Sequence, residues 1–510
     1  SKMSKSLKDT KRIPSPNLSK NLLSQLFGHL YPLHSLSKQK EFTISMALLS
    51  QSIEYYKETN SDTVKLRFLH SRFILTRDKD FYSEILSSQQ NNFGTSKNVK
   101  QGIGFFFPNG ILIVEGQQWH KIRKILTKTL NRLSIEAVSP SIMNNIEYAL
   151  ELKPQSKQRK EQTGKVEQRV CLANQLQTID LIGRIIFDAF HELVYECDLQ
   201  TLRFKPESSK ILDSCSSILT ALGERLLFPV PLLWKLPTKR NRRYNEALNY
   251  IKDFIEGFIR EQKENLIKNR EAVMNMKRKS LLQEFLLANE LEEDEKGRLS
   301  HEELVDQIAT LFFAGYDTTA NVLSFTLNHL ARNPNVQDKL RTSLWEAFPQ
   351  GQEDVAKASF DDIERVTYLR HVVDEVHRIT PLVSMLRECK RDTEINGYLI
   401  KKGNNVLIDN NGIGLKQSNW GGQTDLHLFK PDRWETFKPA TIEGTLPFGF
   451  GARMCPGRKI GTFEIKIFLA SALLNHKVTL RDPNEEFELD VLLGLCLKKG
   501  TGNVNFNRIK

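Results

Sequence analysis

A mainly α fold, one large helical domain with a small β-sheet portion, is what this sequence predicts. Three observations point to it. Six long segments carry apolar residues at three-to-four spacing, strand signals are few and short, and no internal repeat or long linker divides the 510 residues. The helical segments are Trp119–Leu130, Leu176–Phe190, Arg243–Leu266, His301–Ala331, Tyr368–Arg378 and Gly461–Leu474. The strand signals are Val64–Phe68, Phe73–Thr76, Ile395–Ile400 and Asn405–Ile408. Asn396-Gly397 reads as a tight turn, because both residue types tolerate positive φ. Residues 1–40 form a basic segment punctuated by Pro14-Ser15-Pro16, and residues 41–510 form the domain. Lys153–Arg169 and Glu290–Gly297 are polar and read as surface excursions.

Composition narrows the function classes. Apolar residues make up 40% and charged residues 26%, which is ordinary for a globular chain with a large core. Net charge is +12, but no helix-turn-helix, zinc-finger or RRM pattern accompanies it, so nucleic-acid binding is set aside. Six cysteines without regular spacing do not form a disulfide framework. Cys171, Cys197, Cys215, Cys389 and Cys496 read as structural. The most apolar run, Ile308–Phe325, is broken by Asp317 and two threonines, so it falls short of the roughly 18 uncharged apolar residues of a membrane span. No signal peptide is visible, and the chain begins at Ser1, which is compatible with a membrane anchor removed upstream of residues 1–40.

One cysteine stands in a special setting. In Pro447-Phe448-Gly449-Phe450-Gly451-Ala452-Arg453-Met454-Cys455-Pro456-Gly457, three glycines surround Cys455 and an apolar-periodic helix follows. Glycines permit tight turns and close backbone approach, and a helix N-terminus favours a thiolate. A thiolate is a good transition-metal ligand. An isolated cysteine in a Gly-rich turn is more often a small buried hydrophobe. Elsewhere, Glu375 and Arg378 share one helix face at ion-pair spacing. Ala314-Gly315-Tyr316-Asp317-Thr318-Thr319 puts an acid and two hydroxyls inside an apolar helix, where unpaired polar groups are costly. A kink with back-bonded threonines is the bland account of that run.

The Cys455 segment resembles the haem-ligand loop of the cytochrome P450 family, Phe-x-x-Gly-x-Arg-x-Cys-x-Gly, at Phe448, Gly451, Arg453, Cys455 and Gly457. The resemblance covers nearly all of the chain beyond about residue 60, and the long-helix motif is similar to that of the eukaryotic microsomal branch. It implies a haem b cofactor with Cys455 as iron ligand. It implies propionate contacts from Trp119, Arg123, Arg387 and Arg453, with Phe448, Gly451 and Gly457 shaping the loop. Glu375 and Arg378 would form a buried scaffold pair completed by Arg433 of Phe429-Lys430-Pro431-Asp432-Arg433-Trp434, where Asp and Trp replace the usual Glu and Phe. Asp317 and Thr318 match the acid–alcohol pair that relays protons. Gly412–Trp420 departs from the family, lacking the His of its usual His-Arg-Asp-Pro stretch.

The implied reaction is monooxygenation of a lipophilic small molecule with dioxygen and electrons that originate in NADPH. A haem-thiolate isomerase or dehydratase, or a non-catalytic haem sensor, is the alternative. About 53 residues follow Gly457, too few for a reductase domain, so a separate diflavin reductase or a ferredoxin is expected as donor. Lys121, Lys124 and Lys128 are expected to form an outward basic stripe, suited either to an acidic redox partner or to solvent. Phe105, Phe106, Phe107, Phe313, Ala314, Val383 and Met385 are expected to line the substrate pocket. Pro231–Arg243 resembles branches that oxidise hydrocarbon chains and terpenoids, while the long-helix motif resembles the branch that takes steroids and drugs. Leu226–Leu236, followed by Lys239, Arg240, Arg242 and Arg243, suits a membrane surface or a lid over the channel. The endoplasmic reticulum membrane, cytosolic face, is the expected location, with the mitochondrion as the alternative.

Overall fold

The longest apolar-periodic segment forms a helix of 32 residues, His301–Arg332, which runs through the middle of the molecule. In this computed structural model, residues 13–15, 44–68, 71–130, 136, 138–150, 152–154, 169–227, 231–276, 279–292, 297–437, 445–485, 489–491, 495–497 and 501–509 are described. Residues 1–40, apart from 13–15, most of Lys153–Arg169 and half of Glu290–Gly297 lie outside them. Ser300 and Glu303 close a capping box at the N-terminus of the long helix. It is buried over most of its surface because helices pack around it, chiefly Thr178–Tyr195, Lys239–Lys268, Thr367–Ile379 and Arg458–Asn475. Ile182, Ile186, Phe187, Leu323, Phe325, Phe463, Ile467 and Leu473 interlock in one core. Each such side chain contributes roughly 1.5–3 kcal/mol by leaving water.

All six helical segments of the sequence are helices, with ends shifted by a few residues. The first two are Gly116–Thr129, which stops one residue before Leu130, and Thr178–Tyr195, which starts two residues after Leu176. The helix Pro206–Leu227 carries no clean apolar period because its buried face includes Ser208, Ser214 and Ser217.

The β portion is one five-stranded sheet and several two-stranded ribbons. We number β1 Thr63–Phe68, β2 Ser71–Thr76, β3 Phe93–Thr95, β4 Met385–Cys389, β5 Thr393–Ile395, β6 Tyr398–Ile400 and β7 Asn405–Ile408. The sheet order is β1-β2-β7-β4-β3, with β2 and β7 parallel and the other neighbours antiparallel. Ile395–Ile400 is not one strand but the β5–β6 hairpin. Asn396 (φ 46°) and Gly397 (φ 77°) make the turn between them. Pairing of Thr95 with Arg387 brings β3 and β4 to the edge of the site described below. Among the described residues no helix is long and apolar enough to cross a membrane.

Candidate active site at Cys455

Between Leu304 and Leu330 only Leu311, Ala314, Gly315, Asp317 and Thr318 escape full burial. Leu311, Ala314, Gly315 and Thr318 fall at i, i+3, i+4 and i+7, so they form one stripe on the long helix. The stripe lies in the interior, yet solvent reaches it. Cys455 combines the same two properties: it is exposed, although protein packed around it pushes its thiol up. A slot that admits solvent to the interior explains both.

The two walls of the slot meet through the helix that follows the cysteine. Gly461 approaches Thr319, where a Cβ would lie 3.6 Å from Oγ1. Thr319 Oγ1 also lies 3.0 Å from Glu464 Oε2 on that helix. The cysteine loop is held by the Cys455 N–H, which donates to Phe448 O at 2.8 Å, and by Arg123 Nη1, which donates to Met454 O at 2.8 Å. Phe448 stands against the His377 ring at 5.3 Å. Gly451 has φ +74°, and a Cβ there would strike the Leu86 carbonyl, so only glycine fits. Gly457 caps the helix Arg458–Asn475.

Burial dominates at Cys455 and raises the thiol, while the Gly457 N–H and Arg123 pull it down. The helix terminus therefore favours the thiolate less than the sequence alone suggests. A bound metal would complete the deprotonation.

Three guanidiniums gather here. Burial lowers Arg453 to about 10, and repulsion from Arg387 adds to it. Arg123 and Arg387 are lowered by burial as well. Arg453 Nη2 donates to Val114 O at 2.8 Å, and its guanidinium lies 4.7 Å from the Trp119 ring centre. Glu115 is the acid that attracts Arg387 and Arg453. It is itself engaged by Lys100 at 2.7 Å and by the Thr95 N–H. This cluster fits a flat group with an anionic edge. Among the described residues no group of three or more His, Cys, Asp or Glu could hold a bare metal ion. Cys455 offers one sulfur donor, which suits a metal that brings its other donors in a macrocycle. Haem fits on both counts, with Cys455 toward the iron and Trp119, Arg123, Arg387 and Arg453 toward the propionates.

A model of the cytochrome P450 family matches residues 36–506. The chain belongs to the cytochrome P450 family. It is similar to "Putative cytochrome P450 CYP13A7" of Caenorhabditis elegans, 25% identical over 436 residues that cover 80% of this chain and 77% of the relative. Cytochrome P450 3A11 of Mus musculus is 27% identical over 384 residues, 72% of this chain and 71% of the relative. Cytochrome P450 4F5 of Rattus norvegicus is 25% identical over 397 residues, 76% of this chain and 71% of the relative. The protein is accordingly a haem-thiolate monooxygenase, an oxidoreductase.

The remaining residues singled out in the sequence fall into place unevenly. Glu375 and Arg378 are fully buried and paired at 2.8 Å, and Arg433 Nε reaches Glu375 at 2.9 Å. Trp434, the substituent for the usual Phe, donates its indole N–H to Glu375 Oε2 at 3.0 Å. In the departing segment, Gly414 packs against the Arg378 carbonyl and Trp420 lies under the Arg378 guanidinium. Thr318 Oγ1 donates to Ala314 O at 2.9 Å, the back-bonded arrangement, which leaves its lone pairs free to accept. Burial raises Asp317 to about 6. Phe107 and Phe313 meet at 5.3 Å, and Phe106 and Phe105 extend the same aromatic string. Met385 belongs to another cluster, with Phe450 and Leu446, and Val383 is exposed.

The lysine stripe is a correction. Glu303, already in the capping box, also takes Lys121 at 3.1 Å and Gln118 at 3.0 Å, so Lys121 turns inward to the long helix. Lys124 pairs with Glu292 at 2.8 Å, and Lys128 is exposed. The sequence reading also missed Glu464. This fully buried carboxyl is raised by burial to about 8, with Oε1 unpaired. Its place nine residues after Cys455, on the inner face of an apolar helix, was the available signal.

Proposed function

We propose that this cytochrome P450 hydroxylates a lipophilic small molecule, with Asp317 and Thr318 handling protons and a separate NADPH-fed protein supplying electrons. The observation that carries this reading is the solvent-reached stripe of the long helix, which includes Thr318 and has the partly exposed Asp317 next to it in sequence, on a helix that meets the one following Cys455 at Thr319 and Glu464. Haem, when bound, supplies reductive activation of dioxygen. Asp317 sits near the pKa at which a group gives and takes protons in neutral water. Asn321 Nδ2 donates to the Asp317 carbonyl at 2.8 Å and steadies that turn. Thr318 can accept from a water while its own O–H donates to Ala314 O. The aromatic string of Phe105, Phe106, Phe107 and Phe313 offers an apolar wall for the substrate. An intact acid–alcohol pair speaks against a reaction that needs no dioxygen.

Attachment to the cytosolic face of the endoplasmic reticulum is supported by one surface. Leu232, Leu233 and Leu236 are exposed beside exposed Lys239, Arg242 and Arg243. A diflavin reductase fits that location, and a ferredoxin would serve a mitochondrial one. With Lys121 and Lys124 paired, Lys128 is the part of the stripe left to greet a donor.

The test has two stages. Reduced protein under carbon monoxide should show the strongly red-shifted Soret band of thiolate-ligated haem, and Cys455→Ser should abolish it. Thr318→Ala keeps the helix, since Ala is the best helix former. That variant should still consume NADPH with a donor protein but release peroxide in place of product. Full coupling in Thr318→Ala would remove Thr318 from proton handling.

A further inference from the structure

The helix Pro206–Leu227 ends on a cation that pairs with no acid among the described residues. Arg225 is 2% exposed. Its guanidinium carbon lies 4.0 Å from the ring centre of Phe105, 4.4 Å from that of Phe106 and 5.2 Å from that of Trp234. Both terminal nitrogens, Nη1 and Nη2, are buried and make no hydrogen bond. The neighbouring acid is committed elsewhere, since Glu224 pairs with Arg240 and accepts from Tyr244 Oη at 3.2 Å. Burial lowers Arg225 to about 10, opposed by Tyr244, so the group remains charged in neutral water.

Ring faces attract a cation but accept no conventional hydrogen bond, so this cage leaves the desolvated N–H groups unserved. A buried charge in that condition destabilises the protein that carries it unless an anion arrives. A stacked guanidinium keeps its planar N–H edge free, the geometry that binds a carboxylate through two parallel bonds. The same rings lead away from Arg225. Phe106 meets Phe107 at 6.2 Å, Phe107 meets Phe313 at 5.3 Å, and Phe313 immediately precedes Ala314 of the slot stripe. A chain of touching rings therefore runs from the Arg225 guanidinium to the residue that precedes the stripe. On the outer side the cover is short: the helix Pro231–Trp234, with Leu232 and Leu233 exposed beside Trp234.

We propose that Arg225 anchors the carboxylate of a lipophilic carboxylic acid whose hydrocarbon chain runs along Phe106, Phe107 and Phe313 toward Cys455. This rests on the monooxygenase reading above and names the substrate class for it. The acid enters as its carboxylate and leaves with that group unchanged, because Arg225 holds the head while the other end of the chain is the one presented for oxidation.

The experiment uses the haem-loaded full chain and two probes of equal chain length, hexadecanoate and 1-hexadecanol, titrated by the haem spin-state shift. The acid should bind roughly ten- to a hundredfold tighter than the alcohol, as a charged hydrogen-bonded pair in a dry site predicts. Arg225→Met keeps an unbranched chain against the rings, so it should erase the preference while retaining the affinity for the alcohol. Equal affinity of the two probes in the unaltered protein overturns the proposal without any variant. Retention of the acid preference in Arg225→Met overturns it as well. An intact red-shifted carbon monoxide band in either case shows that the haem-thiolate reading stands. Absence of that band in the unaltered protein fails the underlying reading instead.

Discussion

Arg378 and Arg225 are both buried, and their surroundings could hardly differ more. Arg378 spends its guanidinium on Glu375 twice at 2.8 Å, on Gly414 O at 3.1 Å, on Leu426 O at 2.7 Å and on Leu428 O at 3.2 Å. Glu375 in turn also receives the Lys430 N–H, Arg433 Nε and Trp434 Nε1 at 2.9–3.0 Å. Every charge at that site has its partners inside the chain. Arg225 has rings on three sides and no acceptor for Nη1 or Nη2. A buried network that is complete holds a scaffold together, whereas one missing its anion is built to receive something. The complete site fixes the helix Thr367–Ile379 against the segment that leads to the cysteine loop, where Thr445 Oγ1 donates to His377 O at 3.4 Å. The incomplete one lies beside the aromatic string.

The largest expected effect comes from breaking the complete site. Arg378→Met leaves Glu375 buried with fewer donors and should cost about 3–5 kcal/mol. Thermal unfolding and haem retention would read it, and a loss below about 1 kcal/mol would dissolve the contrast.

Glu464 lies between the two cases, with one oxygen paired and one not. Its folded-state pKa, about 8, stands above the ordinary 4.5, so the folded protein holds a proton that the unfolded chain releases. Stability should therefore fall as pH rises from about 4.5 to about 8 and then level. Glu464→Gln should remove that slope and, relative to the unaltered protein, gain a few kcal/mol at pH 9 over pH 4. Parallel melting curves of the two proteins across that range would reject the assignment.

Trp434→Phe restores the family's usual residue and deletes one donor to Glu375. The expected cost is about 1.5–3 kcal/mol, the value of a hydrogen bond to a charged group, read by denaturant midpoint. An unchanged midpoint would mean that Trp434 serves only packing. The smallest effect belongs to Arg225→Met in ligand-free protein. Its stability should stay within about 1 kcal/mol of the original or rise, since an unpaired charge is removed. A fall comparable to that of Arg378→Met would make Arg225 a scaffold residue like the other.

The cysteine loop was legible because its chemistry is local. The positive φ at Gly451, the Cys455 N–H to Phe448 O bond and the cap at Gly457 all lie within ten residues of one another. The Glu375–Arg378 pair follows from helical spacing for the same reason. The six periodic helices were legible because burial of one face imposes the period. Pro206–Leu227 was not, since serines occupy part of its buried face. β4 was not, because Arg387 and Glu388 interrupt its apolar run where the strand borders the site.

What the sequence determined by itself is the set of short-range constraints: helix faces, the ligand turn, and the order of motifs along the chain. The tertiary structure decided which charges have partners. Lys121 looked free until Glu303, 182 positions away, met it. Arg225 drew no attention in the sequence, and only the structure shows Phe105, Phe106 and Trp234 closed around it. Spacing along a helix reports which side chains share a face, but the dielectric around a charge and the acceptors within its reach come from segments that are distant in sequence.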